Sequence, residues 1–394
     1  MKILWLCQYP IKLLIPELQI IRNKDSHSSS WIVNLSKALG NEDYIELHIL
    51  TSSAHIPFTQ TIKKLGITFH VVKYSLPFFR RGFPEIFPYD SLTWYHGFIN
   101  KGLKIIKEIK PDLIHAHGIE KGFSLLALKS GIKNVTSIQG SLLLCFKYTP
   151  SFKSFAQIPI EKYCLKNNHN FGCRTNWDKD LVISINSNAK VYYMPENIGT
   201  IYFTKTWQPD NKHTLVFVGS VIKRKGVEIL IAAIKKVRLK IPNIKVKLIG
   251  GYSKKYQKYL INIIDKLQLS KNIEFLGRRD SEEIAEILSK STAFVLPTLI
   301  DNSPNSLAEA MAVGMPCVAS NVGGIPSIID DGKNGVLFTS ENSDILAYKI
   351  INTLSNKELM NKISKEAKKT AYEKNYNDNV VKQTIKVYKE IINN

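Results

Sequence analysis

The sequence has no long apolar run and no secretion signal. Within its 394 residues, no stretch approaches the roughly 20 apolar residues that a membrane-spanning helix needs. Residues 1–7 are followed by Gln8, Tyr9 and Pro10 instead of a long apolar region with a cleavage site. The sequence therefore predicts a protein that neither spans a membrane nor is secreted.

Cysteine is scarce, and the spacing of the cysteines matches neither a disulfide framework nor a zinc site. The five cysteines are scattered and odd in number, and none belongs to a C-x-x-C pair. This pattern argues against a set of disulfide bonds and against a structural zinc site. We therefore expect a protein of a reducing compartment, the cytoplasm.

Acidic residues are in deficit. The 33 Asp and Glu residues face 54 Lys and Arg residues, which leaves a formal net charge of +21. Such a charge attracts nucleic acid, anionic lipid or phosphorylated substrates. The lysines are spread along the chain without a nucleic-acid motif, so no nucleic-acid partner is expected. Peripheral contact with the anionic inner face of the cell membrane is the prediction, and a solvated basic surface is the alternative.

The sequence contains two successive series of alternating strand and helix patterns. The first runs from the apolar residues 1–8 through the strand pattern of residues 112–117, and the second restarts at Thr214 after a charged, turn-rich segment of residues 205–213. Alternation of this kind is typical of α/β domains with a parallel, doubly wound sheet. The length also suits two domains. We predict domains at residues 1–208 and 209–374.

Two acids, Asp301 and Glu309, are separated by seven residues in a segment that predicts a loop followed by a helix. Ser303, Pro304 and Asn305 are residue types that open helices. The free backbone N–H groups and the dipole at a helix start bind anions, so this turn is a candidate diphosphate site. Glu309 can bind a ribose diol with both carboxylate oxygens. Asp301 lies on the loop and can reach a different group.

A second candidate phosphate site follows the first strand of the second series. Gly219 and Ser220 form a turn there, and a basic cluster that includes Arg224 and Lys225 leads into a helix. Cations and backbone amides at the end of such a strand bind phosphates, although a solvated basic loop is the alternative. Gly277, after a later strand, suggests a turn in contact with a nucleobase.

Two histidines end a predicted strand in the first half of the chain. Strand alternation places His115 and His117 on one face of the sheet, and the carboxyl end of that strand is a position where open sheets bind ligands. His117 is the candidate functional residue of this half. A purely structural histidine is the alternative.

The segment that follows Asp301 resembles the acid-x7-acid motif of the family 4 retaining glycosyltransferases. In that family the first acid is usually Glu, and the sequence continues much like Pro-Asn-x-Leu-x-Glu-Ala-Met-Ala-x-Gly-x-Pro. The similarity extends through residues 317–326 and 331–335. The resemblance implies the GT-B fold, with two Rossmann-like α/β domains facing across a cleft. It also implies that a last helix, residues 375–394, returns to the first domain, which carries the acceptor side.

The activity implied by the resemblance is retaining, metal-independent transfer of a sugar from a UDP- or GDP-sugar to an acceptor hydroxyl. The acceptor would be a glycan or lipid-linked glycan in surface polysaccharide synthesis. His117, Lys225 and Asp301 are the implied catalytic residues: His117 orients the sugar, Lys225 stabilises the diphosphate and Asp301 holds sugar hydroxyls. The implied donor-binding residues are Gly219, Ser220, Arg224, Lys225, Gly277, Asn302, Ser303, Pro304, Asn305, Ser306, Leu307 and Glu309. No cofactor is implied.

Several positions depart from the family pattern. Ser220 stands where arginine is usual, Gln139 where histidine is frequent, and Asp301 where glutamate is usual. Arg174 and Asp178 resemble part of a bacterial motif and are candidates for the acceptor side or for a structural pair. These departures leave open a non-catalytic partner that only binds nucleotide or scaffolds a surface-polysaccharide assembly. A nucleotide-sugar epimerase of the same architecture is a second alternative, although the acid-x7-acid motif favours transfer.

Overall fold

The structure is a computed structural model that describes residues 1–18, 30–74, 89–119, 121–148, 150–210 and 213–394. Its chain divides into two units. Unit 1 comprises Met1–Asn197 together with Asn377–Asn394, and unit 2 comprises Ile198–Tyr376. No helix within the described ranges is both long and apolar enough to cross a membrane.

Unit 1 contains a sheet with eight strands in its described part, in the order β3-β4-β2-β1-β5-β6-β7-β8. The strands are β1 Lys2–Leu6, β2 Glu46–Ser53, β3 Gln60–Lys64, β4 Ile67–Lys73, β5 Leu113–His117, β6 Asn134–Ser137, β7 Asn170–Cys173 and β8 Lys190–Tyr193. Its helices are α1 Ile11–Leu14, α2 Ser30–Gly40, α3 Tyr89–Leu92, α4 His96–Ile109, α5 Phe123–Lys129, α6 Leu142–Cys145, α7 Phe152–Asn167 and α8 Asn176–Ile185, joined by α16 Asn377–Asn393.

Alternate residues of β1 enter two different cores, which is why helices cover both faces of the sheet. Ile3 and Trp5 pack with residues of α2 and α16, whereas Leu4 and Leu6 pack with residues of α4 and α5. Every described strand pairing in this sheet is parallel except β3 with β4. The arrangement is therefore a doubly wound sheet, as predicted, with one antiparallel edge strand.

That antiparallel strand corrects the prediction of a purely parallel sheet. β3 and β4 are joined by Leu65 and Gly66, whose φ angles are 52° and 72°. Two consecutive residues with positive φ form the tight turn that closes a β-hairpin. The hairpin was missed because glycine stands at only one of the two turn positions.

In its described residues, unit 2 contains a six-stranded sheet in which every pairing is parallel, in the order β11-β10-β9-β12-β13-β14. The strands are β9 Thr214–Val218, β10 Lys245–Ile249, β11 Ile273–Gly277, β12 Ala293–Leu296, β13 Cys317–Ser320 and β14 Val336–Phe338. Its α-helices are α9 Thr200–Thr204, α10 Val227–Lys240, α11 Lys254–Lys266, α12 Ser281–Lys290, α13 Asn305–Val313, α14 Ser343–Ser355 and α15 Lys357–Asn375, with 3₁₀ turns at Lys223–Lys225 and Ile325–Ser327.

The strand order of unit 2 reverses direction between β9 and β12. From β9 the chain adds β10 and β11 on one side, and then crosses to the other side for β12, β13 and β14. Open α/β sheets bind ligands at the carboxyl ends of the strands that flank such a switch point. The loops after β9 and β12 are therefore the positions in unit 2 where a ligand is expected.

The chain passes between the units earlier than the sequence predicts. Residues 198–208 belong to unit 2 and not to the first domain. Tyr202 on α9 is 2% exposed in the core of unit 2, and the backbone N–H of Trp207 donates to the carbonyl of Val313 at 3.0 Å. At the other crossing, the units divide after Tyr376, and α16 packs against α2 and β5 of unit 1.

Candidate functional site

The basic cluster after β9 is a short 3₁₀ turn that lies against the loop after β12. The turn ends at Gly226, where φ is +70° and a Cβ atom would lie 1.8 Å from the carbonyl oxygen of Pro297. Only glycine permits this approach. The carbonyl of Arg224 accepts the N–H of Leu299 at 2.8 Å, and its guanidinium Nη1 donates to the carbonyl of Ile300 at 2.8 Å. Arg224 therefore stabilises, through hydrogen bonds, the backbone that precedes Asp301.

Lys225 and Asp301 form an ion pair. The Lys225 Nζ donates to the Asp301 carboxylate, and the two side chains are only 13% and 15% exposed. The residues come from the loops that follow β9 and β12, the two strands at the switch point. Two sequence motifs that were predicted separately thus meet at one place in unit 2.

A diglycine holds the loop that carries Asp301. The N–H of Gly324 donates to the Asp301 carbonyl at 3.0 Å. Gly323 has φ of +56°, and a Cβ atom there would lie 2.0 Å from the same carbonyl oxygen. The Gly-Gly-Ile-Pro segment of the family resemblance, residues 323–326, therefore packs against the backbone of Asp301 and supports it.

Helix α13 begins directly after this loop, and its first turn leaves backbone amides available. Pro304 occupies the N-cap position without a side-chain cap, and the first turn contains no acidic residue. The N–H of Leu307 donates to the Pro304 carbonyl at 3.0 Å, and the Leu307 side chain is fully buried in the core. The first N–H groups of a helix have no intrahelical acceptor, so the amides of Asn305 and Ser306 are the ones that the predicted anion site would use.

The remaining donor candidates lie near these loops in different environments. Asn302 is buried, Ser303 is half-buried and Ser220 is exposed. Gly219 donates its N–H to Ile249 at 2.9 Å, and the carbonyl of Gly277 accepts the N–H of Gly250 at 2.8 Å. Hydrogen bonds therefore connect the carboxyl ends of β9, β10 and β11.

Glu309 lies on the second turn of α13, and its ionisation is perturbed. Burial raises the pKa of its carboxyl group to about 7, and a hydrogen bond with the Tyr202 hydroxyl opposes that rise. Burial of the Tyr202 hydroxyl, together with the nearby Glu309 carboxylate, raises the pKa of Tyr202 above its ordinary range. Sequence reasoning missed Tyr202, because it assigned residues 198–208 to the other domain.

His117 belongs to unit 1, where it ends β5. Its ring lies among three others: His115 at 3.8 Å, Trp5 at 4.5 Å and Trp31 at 5.4 Å between ring centroids. Among the described residues, neither ring nitrogen of His117 has a hydrogen-bond partner, although both are buried. Burial lowers the pKa of His117 well below its usual range and that of His115 to about 3. His117 is therefore a neutral imidazole able to accept and donate hydrogen bonds.

Arg174 and Asp178 are held in a buried network of unit 1. Arg174 Nη1 lies 2.6 Å from a carboxylate oxygen of Glu196, and both side chains are less than a tenth exposed. Arg174 Nη2 donates to the carbonyl of Gln139 at 2.8 Å. Asp178 accepts the backbone N–H of Arg174 at 3.0 Å. Gln139 thus anchors this network through its backbone.

Within the described ranges, no group of three or more His, Cys, Asp or Glu side chains is placed to hold a metal ion.

Two family models match the chain. Residues 200–370 match Glycosyl transferases group 1, and residues 24–175 match Glycosyl transferase 4-like. An uncharacterized glycosyltransferase of Methanocaldococcus jannaschii is 28% identical over 364 residues, which cover 91% of this chain and 93% of the relative. The N-acetyl-alpha-D-glucosaminyl L-malate synthase of Bacillus anthracis is 24% identical over 374 residues, covering 91% of this chain and 92% of that enzyme.

Solved structures share the fold over the whole chain. The sucrose-phosphate synthase of Thermosynechococcus elongatus matches with a TM-score of 0.81 at 15% identity, covering 100% of this chain and 99% of that chain. Anabaena HepE, solved in complex with UDP and glucose, matches with a TM-score of 0.70 at 18% identity, covering 99% and 100% respectively. These neighbours are GT-B proteins, and the two α/β units described above have that fold. The two family models and the glycosyltransferase relatives together therefore support a group 1, family 4-like glycosyltransferase of GT-B fold.

Proposed function

We propose that this glycosyltransferase retains the anomeric configuration while it transfers a sugar from a UDP- or GDP-sugar to an acceptor hydroxyl. The acceptor is a glycan or lipid-linked glycan in surface polysaccharide synthesis. The observation that carries the proposal is the meeting of Lys225 and Asp301 beside the first turn of α13. A cation, a carboxylate and free amides at one switch point match the diphosphate and the sugar hydroxyls of such a donor.

The proposed reaction exchanges two bonds at the anomeric carbon. The bond from that carbon to the diphosphate oxygen breaks, and a bond to the acceptor oxygen forms on the same face. The acceptor proton passes to the departing diphosphate oxygen. Lys225 and the amides of Asn305 and Ser306 stabilise the charge that develops on the diphosphate, because hydrogen-bond donors held in place by the fold need little reorganisation during the reaction. In this proposal no metal is needed for that step.

The other candidate residues hold the donor. Asp301 accepts hydrogen bonds from donor-sugar hydroxyls, Glu309 accepts those of the ribose diol, and His117 orients the sugar. The complex of HepE with UDP and glucose supports a uridine nucleotide as the first donor to examine. Peripheral contact with an anionic membrane, at the cytoplasmic face, is part of the same proposal and suits the net charge of +21.

Thermal-shift measurements with UDP, GDP, ADP and their common sugar conjugates test the proposal, because a ligand that binds only the folded state raises its melting temperature. We expect one nucleotide and its sugar conjugate to stabilise the protein, and Glu309→Ala to remove that shift. Lys225→Ala should lower kcat by about 10²–10³. Lys235→Ala, an exposed lysine on α10, is the matched control that keeps activity.

Three outcomes contradict the proposal. The absence of a shift with every nucleotide contradicts donor binding. Binding without transfer to any glycan acceptor favours the non-catalytic partner. Conversion of the sugar nucleotide into an epimer in the absence of an acceptor favours the epimerase.

A further inference from the structure

The C-terminal helix α16 places a tyrosine hydroxyl inside unit 1, next to the histidine pair. Tyr388 is fully buried. Its hydroxyl accepts a hydrogen bond from Trp5 Nε1 at 2.8 Å and lies 2.6 Å from Nδ1 of His115. On its other side, His115 places Nε2 at 2.7 Å from the hydroxyl of Ser137. Four side chains from β1, β5, β6 and α16 thus form one hydrogen-bonded chain.

The order of donors along this chain assigns the tautomer of His115. Trp5 can only donate, so the Tyr388 oxygen accepts from it. The buried Tyr388 proton then needs an acceptor, and Nδ1 of His115 is the group that is placed to accept it. Nε2 of His115 consequently carries the ring proton and donates to Ser137. With this assignment each of these buried groups has a partner, and His115 stays neutral.

His117 depends on the same chain although it makes no hydrogen bond in it. Two of the three rings that surround His117, those of Trp5 and His115, are hydrogen-bonded to the Tyr388 hydroxyl. Their centroids lie 4.5 Å and 3.8 Å from that of His117. Because its own nitrogens have no partner among the described residues, ring contacts set the orientation of His117.

We propose that Tyr388 is a positioning residue for His117, acting through the rings of His115 and Trp5. The inference rests on the proposed function, in which His117 faces the donor sugar. It gives the C-terminal helix a part in the reaction beyond its contribution to the core of unit 1. The substitution Tyr388→Phe removes only the hydroxyl, and it leaves Trp5 Nε1 and His115 Nδ1 without their shared partner.

A double-mutant cycle with His117→Ala tests the proposal through activity. We expect Tyr388→Phe to lower kcat/KM roughly tenfold, mainly through kcat, since loss of one buried hydrogen bond has an effect of that order. In the His117→Ala background the same substitution should have little further effect. Val381→Ala, which truncates another buried residue of α16, controls for a general loss of stability.

Equal losses from Tyr388→Phe in both backgrounds would overturn the inference, as would an equal loss from Val381→Ala. Nitrogen NMR of the histidine rings supplies a readout that does not require activity. We expect His115 protonated at Nε2 in the native protein and a changed or exchanging tautomer in Tyr388→Phe. An unchanged His115 spectrum contradicts the positioning role. If His117→Ala alone keeps full activity, the proposed role of His117 fails, while the NMR result still decides whether Tyr388 fixes His115.

Discussion

At the scale of single residues, Glu309 makes the stability of the protein depend on pH near neutrality. Burial raises its pKa to about 7, from the ordinary value of 4.5. Between these values the folded protein keeps a proton that the unfolded chain releases. The contribution of Glu309 to the free energy of unfolding therefore falls as pH rises from 4.5 to 7.

The substitution Glu309→Gln should remove this contribution. We expect denaturant unfolding at pH 5 and pH 8 to show a smaller pH-dependent loss of stability in the variant than in the native protein. Glu283→Gln, which changes an exposed acid at the start of α12, is the comparison for a simple loss of charge. An identical pH dependence in native protein and Glu309→Gln would contradict the assignment of a raised pKa.

Asp301 is one carbon shorter than the glutamate that its family usually has. Asp301→Asn keeps the size of the side chain but removes the negative charge that pairs with Lys225. We expect kcat to fall by about 10², whereas Asp301→Glu should retain most of the activity because its carboxylate reaches the same region. Steady-state kinetics with the donor varied measures the kcat of both variants. Equal activity of Asp301→Asn and native protein would remove Asp301 from the proposed reaction.

At the scale of structural elements, the loop after β13 determines where Asp301 lies. Gly323→Ala adds a methyl group 2.0 Å from the Asp301 carbonyl oxygen, so the loop must move. Gly332→Ala is the matched control, since Gly332 also has positive φ, +74°, but has nothing within 4 Å of an added Cβ. Both should lose about 1–2 kcal/mol of stability from backbone strain. Only Gly323→Ala should also lose donor turnover, about tenfold or more.

Kinetics and denaturant unfolding of the two glycine variants give the answer together. If Gly332→Ala loses turnover to the same extent as Gly323→Ala, backbone strain anywhere in this part of unit 2 is sufficient to lower turnover. The support of the Asp301 backbone by Gly323 would then have no special part in activity.

Elements with strong local patterns could be predicted from the sequence, and those formed by distant contacts could not. The strand that ends at His117 and the start of α13 after Pro304 were predicted because apolar runs and helix-opening residues mark them locally. Tyr388 was missed because it lies in no motif, and Tyr202 was missed because residues 198–208 were assigned to the other domain. Their importance arises from Glu309 and His115, residues that are distant in the chain. The ion pair of Lys225 with Asp301 is similarly visible only after the sheet brings β9 beside β12.

At the scale of the whole molecule, one basic and aromatic surface of unit 1 suits an anionic membrane. On α7, Phe155 is 65% exposed and Tyr163 is 41% exposed, and Lys162 and Lys166 are exposed beside them. The one acidic residue of that helix, Glu161, is buried and accepts backbone N–H groups. Aromatic and basic side chains are favoured together at the surface of anionic bilayers.

Charge reversal on this surface tests the proposed membrane contact. Lys162→Glu with Lys166→Glu should greatly reduce co-sedimentation with vesicles that contain phosphatidylglycerol, since each lysine near such a surface contributes about 1 kcal/mol. Lys235→Glu with Lys240→Glu on α10 changes the net charge equally and should have a smaller effect. Equal losses in the two double variants would assign binding to net charge alone, and binding to neutral vesicles would contradict the electrostatic basis.

The return of α16 to unit 1 has a consequence during synthesis on the ribosome. All of unit 2, residues 198–376, is translated before the segment that supplies Val380 and Tyr388 to the core of unit 1. Until then, the nascent first unit lacks part of its apolar packing and the hydroxyl that joins Trp5 to His115. The core of unit 1 is therefore completed only after unit 2 has been translated, and a fragment of residues 1–197 would need residues 377–394 supplied separately to complete that core.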